Sequence, residues 1–303
     1  MKGSRMRLWM YLVLIPTVLL GRGLETDAAE RISVRILFTN NSNGKLVDCN
    51  CRNDPYGGLA ERAELIKSYR AKYPDVLALD SGGYLGLSNT EVKGNLILKL
   101  MDTMGYQYAG ISDQELFHGL GEFLGYFGWY RDRIINASLY SESGERIFTH
   151  YVIVTVNEIK IGITGLVSNE TFKFFPEDAK DFSVEEPDST LAKLIPELKR
   201  SCDYIIVLSQ MGVTVDREIA EKWPDIDLIV GGHSQTLLEK PIKTGNCRIV
   251  QVGKGAGRVG EIVLSFDESR NIDTFSYNLL EVTKKYSIMP EIQLLLDETM
   301  KTQ

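Results

Sequence analysis

The sequence predicts an α/β protein of layered sheets with helices on the outside. Three observations carry that reading. Short apolar, β-branched runs alternate with segments of helical spacing. Polar or glycine-rich loops follow the ends of those runs, where open α/β sheets place their ligands. A meander and one amphipathic segment close the chain.

The elements follow in order. "ISVRILFT" reads as a strand, rich in β-branched residues. "GGLAERAELIKSYRAKY" places Leu59, Ala63, Ile66 and Tyr69 at helical spacing. "DVLALDSGG" is a buried strand running into a glycine turn, and "TEVKGNLILKLMDTMG" a helix with Gly105 as its C-cap. "YQYAGIS" is a further short strand. The pattern then restarts. "HYVIVTVNEIKIGITGLV" is a hairpin turning near Asn157, and "PDSTLAKLIPELKRS" a helix. "DYIIVLSQMG", "IDLIVGGHS" and "CRIVQVGKG" are three strands. "RVGEIVLSFDESRNIDTFSYNLLEV" is an antiparallel meander turning near Glu268–Asn271, and a helix from Pro290 to Met300 ends the chain. Residues 30–285 read as one domain, followed by a C-terminal helix in 286–303.

The charge of −7 and pI of about 5.2 give no basic footprint for nucleic acid. Lys2, Arg5 and Arg7 precede the apolar run Leu8–Leu20, and small residues follow at Ala28–Ala29. This predicts a secretory signal peptide in residues 1–29 and an exported protein, periplasmic or extracellular. The competing reading is an uncleaved anchor. The run is shorter than the roughly 20 residues of a membrane span, so no stable span is expected once the signal is removed. Four cysteines are present, Cys49, Cys51, Cys202 and Cys247. In an oxidising compartment disulfides persist, but the pairing is not readable from spacing. Cys49 and Cys51 can bridge, hold a soft metal with help from elsewhere, or do neither. Asn40, Asn136 and Asn169 begin N-x-S/T triplets.

The strand-end loops are "FTNNSNGKL", "LDSGGYLG", "GISDQEL", "VLSQMG" and "VGGHSQT". Their order, with the framework stretches "YGGLAERAELIKSYR", "IKIGITGLV" and "DIDLIVGGHS", resembles the 5′-nucleotidase branch of the calcineurin-like metallophosphoesterases. The resemblance covers roughly residues 31–285. It implies a metallophosphoesterase-type layered β-sandwich flanked by helices, hydrolysis of phosphoesters such as 5′-nucleotides, and a small phosphorylated ligand. It implies divalent cofactors (Mn, Zn or Mg) about 4 Å apart that polarise phosphate and supply hydroxide. The full 5′-nucleotidases carry a second, C-terminal domain that holds the nucleoside, and this sequence stops after the linking helix. No protein partner is indicated.

The family's ligand pattern maps onto this sequence position by position. The first loop's Asp-x-His becomes Asn41 and Asn43. The bridging carboxylate of the second becomes Gly83, after the retained Gly82. The third loop, Gly-Asn-His-Glu in the family, reads Ser112-Asp113-Gln114-Glu115, so Gln114 stands where the proton-donating His belongs. The fourth loop's His is Gln210, and the fifth loop's His-x-His is His233 and Gln235. Amides are neutral oxygen donors and poor substitutes for carboxylate and imidazole on a transition metal. Gln114 has no pKa useful for general acid catalysis. Only three histidines are present. His118 lies just past the third loop and is a candidate, with Asn43 and Gln114, for substrate contact. His150 reads as scaffold. His233 reads as part of the pocket. Some exported branches of the family carry Cys-x-Cys where Cys49 and Cys51 stand, which makes these part of a loop near the altered site. In "GKGAGRVG", Lys254 and Arg258 are weak candidates for facing an anion. Two functions remain in view. One is an impaired protein that keeps a polar pocket. The other is an active hydrolase with an altered or single metal at Asp113, His233 and nearby amides.

Overall fold

The computed structural model describes residues 32–47, 55–87, 90–175, 177 and 179–301. The expected signal segment 1–29, Cys49 and Cys51 lie outside the described residues. In chain order the elements are β1 (Ile32–Thr39), α1 (Leu59–Lys72), β2 (Leu77–Asp80), α2 (Glu91–Met104), β3 (Tyr108–Ala109) and α3 (Leu120–Phe127). Then come β4 (Leu139–Ser141), β5 (Tyr151–Val156), β6 (Ile159–Leu166), β7 (Phe182–Val184), α4 (Pro187–Ser201), β8 (Tyr204–Ser209) and α5 (Val213–Lys222). Last are β9 (Leu228–Val230), β10 (Ile242–Thr244), β11 (Cys247–Val250), β12 (Arg258–Phe266), β13 (Ile272–Glu281) and α6 (Pro290–Lys301).

Two sheets form the centre. One has the order β13-β12-β1-β2-β3 and the other β10-β11-β9-β8-β6-β5. β4 and β7 pair separately. Side-chain alternation explains how each sheet serves two cores. In β1, Val34, Ile36 and Phe38 face the cluster between the sheets, while Leu37 faces the helices. In β8, Tyr204, Ile206 and Leu208 face inward, and Ile205 and Val207 face the α4–α5 side. Strands buried on both faces read as continuous apolar runs, which is why these were legible in the sequence. α1, α2, α3 and α6 cover the first sheet, and α4 and α5 cover the second. The layered α/β sandwich expected from the sequence is the observed architecture. α6 inserts Ile292 and Leu296 into the first helical layer, and Met289 just before it joins them.

Local chemistry sets the connections. Thr90 caps α2 by accepting from the Lys93 amide at 3.2 Å, and Gly105 ends it at φ 76°. The β5–β6 turn puts Asn157 and Glu158 at φ 47° and 69°, the geometry of a tight two-residue hairpin. Two helices were not evident in the sequence. α3 carries Gly121 and Gly125, which lower its intrinsic propensity. α5 begins with the β-branched Val213-Thr214-Val215, which hides its period. β10, between β9 and β11, is also new.

The sheet directions bring the five loops together. β1, β2 and β3 are mutually parallel. β6, β8, β9 and β11 are parallel in the other sheet. The loops after β1, β2, β3, β8 and β9 therefore meet at one end of the sandwich. Ser81 Oγ, in the first sheet's second loop, donates to the Gly231 carbonyl across the gap at 3.1 Å.

Candidate functional site

The first loop leaves β1 through Asn40, which is fully buried. Its amide donates to the Gly253 carbonyl at 2.7 Å and accepts from the Val252 amide at 2.8 Å. Asn41 and Asn43 then take φ of 45° and 51°. Asparagine tolerates this left-handed region better than most residues, so the backbone by itself favours it there. The Asn41 and Asn43 amides donate to the Gly82 and Gly83 carbonyls, each at 2.9 Å, which docks the first loop on the second. Ser42 accepts from Arg62 Nη1 at 2.9 Å. Arg62 is fully buried and also donates to the Ala256 carbonyl at 3.2 Å.

The second loop is built around two buried carboxyls. Asp80 accepts from Thr39 Oγ1 at 2.5 Å and from the Gly82 amide at 2.8 Å. Glu115 takes the Gly83 and Leu85 amides at 2.9 Å each, and the Ser112 hydroxyl at 2.8 Å. Burial pushes Asp80 up and lifts Glu115 to about 7. Glu115 is thus a strut between the second and third loops rather than a free acid. Gly83 sits at φ 74°, and a Cβ there would lie 2.5 Å from Asn41 Nδ2. The absence of a side chain at Gly83 and the amide at Asn41 fit each other.

The remaining predicted residues fall around this centre. Gln114 Nε2 donates to Asn43 Oδ1 at 3.1 Å, an amide pair joining the first and third loops. Gln210 is buried, and its Nε2 donates to Ser81 Oγ at 3.4 Å. Gly82 and Gly232 pack so closely on Gln210 that a Cβ on Gly232 would lie 2.1 Å from Nε2. The Oε1 atoms of Gln114 and Gln210 are buried without partners among the described residues. His233 and Gln235 take φ of 62° and 53°, repeating the first loop's alternation. His233 Nδ1 stands 3.9 Å from Asp113 Oδ1. Burial raises Asp113, and the nearby His233 opposes this. His118 is exposed, its ring edge-on to Phe117 at 4.8 Å, and it shares a hollow of about 20 Å³ with Gln114 and Glu115.

The structure thus gathers Asn41, Asn43, Gly83, Asp113, Gln114, Gln210 and His233 at one end, with Gln235 on the same loop as His233. Asn40, Ser81, Glu115 and Arg62 complete the cluster; Asn40 stood out in the sequence as a sequon and Glu115 as the end of the third-loop motif, while Ser81 and Arg62 were not singled out. Arg62 gave a signal: with Leu59 and Ile66 it lies on the helix face that turns inward. The group does not fit a two-metal centre. Among the described residues no three His, Cys, Asp or Glu side chains converge to hold a metal. Amide oxygens occupy the corners, and no carboxylate occupies the bridging position.

Other sequence candidates resolve into structure. The glycines of "GKGAGRVG" serve close approach: the Gly255 amide donates to the Asn41 carbonyl at 2.7 Å. A Cβ on Gly260 would strike the Phe38 ring at 2.1 Å. Arg258 lies over the Tyr56 ring at 4.3 Å rather than facing the pocket. Cys202 and Cys247 are free thiols, and burial pushes Cys247 up to about 12. Of the three sequons, Asn40 and Asn136 are buried, and Asn136 Oδ1 accepts from the Ser138 and Leu139 amides. Only Asn169 is exposed.

No family model matches the chain. It is 25% identical over 300 residues to bovine 5′-nucleotidase, covering 88% of this chain and 52% of that protein. The chain thus spans about half the length of this curated relative. A 5′-nucleotidase precursor from Thermus thermophilus superposes with a TM-score of 0.78 at 21% identity, over 89% of this chain and 59% of that one. A calcineurin-like phosphoesterase from Bacillus subtilis gives 0.75 at 18%, over 90% of this chain and 98% of that one. Among the described residues, no helix is long and apolar enough to cross a membrane. Sequence and superposition agree, and the chain carries the calcineurin-like phosphoesterase fold, which 5′-nucleotidases share.

Proposed function

We propose that this protein is a catalytically impaired, exported relative of the 5′-nucleotidases that keeps its loop-end pocket for binding. The observation that carries the reading is the Gln114–Asn43 amide pair. It ties together two positions where the family resemblance calls for a proton donor and a metal ligand. Neither amide changes charge near neutral pH, so neither can activate water or protonate a leaving group. The basic and apolar N-terminal pattern supports export. Gln114 Oε1 and Gln210 Oε1 are buried acceptors without partners among the described residues, so this end of the sandwich favours a ligand that donates hydrogen bonds. The Arg62 guanidinium does not offer itself to a phosphate there, because it already donates to Ser42 and the Ala256 carbonyl.

The alternative hydrolase reading has one observation in its favour, the approach of Asp113 to His233. A turnover assay separates the two. Purified protein is given adenosine 5′-monophosphate or p-nitrophenyl phosphate with Mn²⁺, Zn²⁺ or Mg²⁺. The expected rate equals that of the His233→Ala variant. Turnover that depends on metal and is lost in His233→Ala overturns the proposal.

A further inference from the structure

Away from the loop cluster, α4 turns one face toward the segment joining β4 to β5. Thr190, Lys193, Leu194 and Glu197 follow one another at i, i+3, i+4 and i+7 and wall a cavity of about 300 Å³. Tyr140, Arg146, His150 and Tyr151 line it as well. The backbone there is fixed. Arg146 bridges Tyr140 across a tight turn, and the His150 carbonyl accepts from Thr164 Oγ1 at 2.8 Å.

A count of partners shows what this cavity leaves unmatched. Glu185 is satisfied by Lys193, by Thr190 Oγ1 at 3.2 Å and by the Tyr140 hydroxyl at 3.4 Å. Glu197 takes the Tyr151 hydroxyl at 2.5 Å. Arg146 has no carboxylate partner among the described residues. His150 packs edge-on against Tyr140 at 5.8 Å, and its Nε2 is buried without a partner. A planar guanidinium with free donors beside an unpaired imidazole suits a planar or tetrahedral oxyanion. We propose that this cavity binds a small oxyanion, a carboxylate or a phosphate, between Arg146 and His150.

The electrostatics give the site a signature. Burial first, then Arg146, holds His150 down at about 4, so its ring is neutral at pH 7. Lys193 adds to that depression and Glu185 opposes it. Glu197 on α4 is the other charged group lining the cavity, engaged by Tyr151. An anion seated between Arg146 and His150 offsets the repulsion and raises the histidine, so binding takes up a proton and strengthens at lower pH.

The chain has three histidines, which makes their imidazole titrations separable by NMR. Inorganic phosphate and acetate are titrated against sodium chloride at equal ionic strength. The expected result is a rise of about one unit in the His150 midpoint with at least one oxyanion, equivalent to about tenfold tighter binding to the protonated form. Which oxyanion acts identifies the phosphate or carboxylate source. Arg146 is exposed, so Arg146→Ala is expected to fold, with circular dichroism as the check, and to abolish the shift. His233→Ala is expected to leave the shift intact, which separates this site from the loop pocket. A His150 midpoint unmoved by both oxyanions, a shift reproduced by chloride, or a shift that survives Arg146→Ala overturns the proposal. So does a response at His233 in place of His150.

Discussion

The loops after β1 and β9 have the same backbone device and different fates. Asn41-Ser42-Asn43 and His233-Ser234-Gln235 both flank a serine with two left-handed residues. In the first, the side chains have been drawn into the structure. Asn41 accepts from Asn40, Asn43 from Gln114, and Ser42 from Arg62. In the second, His233 stays a quarter exposed, with Asp113 at 3.9 Å as its nearest charged partner. Only the central Ser234 is tied in, accepting from the Val213 amide at 3.2 Å and donating to Gln251 at 3.1 Å. The contrast teaches that the same left-handed backbone recurs in both loops, while only the first draws its flanking side chains into internal hydrogen bonds. Left-handed backbone costs roughly 1–2 kcal/mol per non-glycine residue, least for asparagine. In the β1 loop that cost falls on asparagines, and in the β9 loop on a histidine and a glutamine.

The largest test of the contrast is Arg62→Ala. It strips donors from Ser42 and the Ala256 carbonyl in a fully buried place, and should cost about 3–4 kcal/mol in denaturant unfolding. A loss under 1 kcal/mol would mean the β1 loop is not anchored this way. On the β9 side the buried support is Asp216, which accepts from Ser209 Oγ and which burial raises to about 7. Its folded pKa lies above its unfolded value, so the native state holds the extra proton between about pH 4 and 7. Stability is therefore greatest at the acid end of that window and falls as pH rises through it. Asp216→Asn should flatten that decline by about 2–4 kcal/mol, read from urea midpoints between pH 4.5 and 8. An unchanged slope would place the titration elsewhere.

Smaller effects separate backbone from hydrogen bond. Asn43→Gly keeps the left-handed residue and loses only the contact to Gln114, so about 1 kcal/mol is expected. Asn43→Ala loses both and should cost about 2 kcal/mol. Equal losses would show that backbone strain is not stored there. Gln235→Gly is the smallest change. It relieves a left-handed glutamine and should stabilise by up to about 1 kcal/mol, seen as a rise in Tm. A fall in Tm would mean the Gln235 side chain makes a contribution larger than its strain.

The scaffold was legible because its signals are local. β8 and β1 announce themselves as apolar runs, α1 and α4 by spacing, and α2 by Gly105. α3 and α5 were hidden by glycines and β-branched residues that tertiary packing overrides. The corners of the pocket were also legible, since each follows a strand end in a fixed order. What the sequence could not show was their mating. The Gln114–Asn43 pair, the Asn40 tether to the Gly253 carbonyl and the His233–Asp113 approach all join distant stretches of chain. The fit of Gly83 against Asn41 depends on the same long-range docking. His150, read from sequence as scaffold, has a scaffolding carbonyl and an unmatched ring.

The central claim is that this site has kept its ligand-presenting backbone and lost its capacity for two metals. Metal content measures it most directly. Protein equilibrated with Mn²⁺, Zn²⁺ or Mg²⁺, then freed of excess ion, is assayed by elemental mass spectrometry against protein concentration. The account predicts no stoichiometric metal. Two equivalents per chain, reduced in His233→Ala, would contradict it.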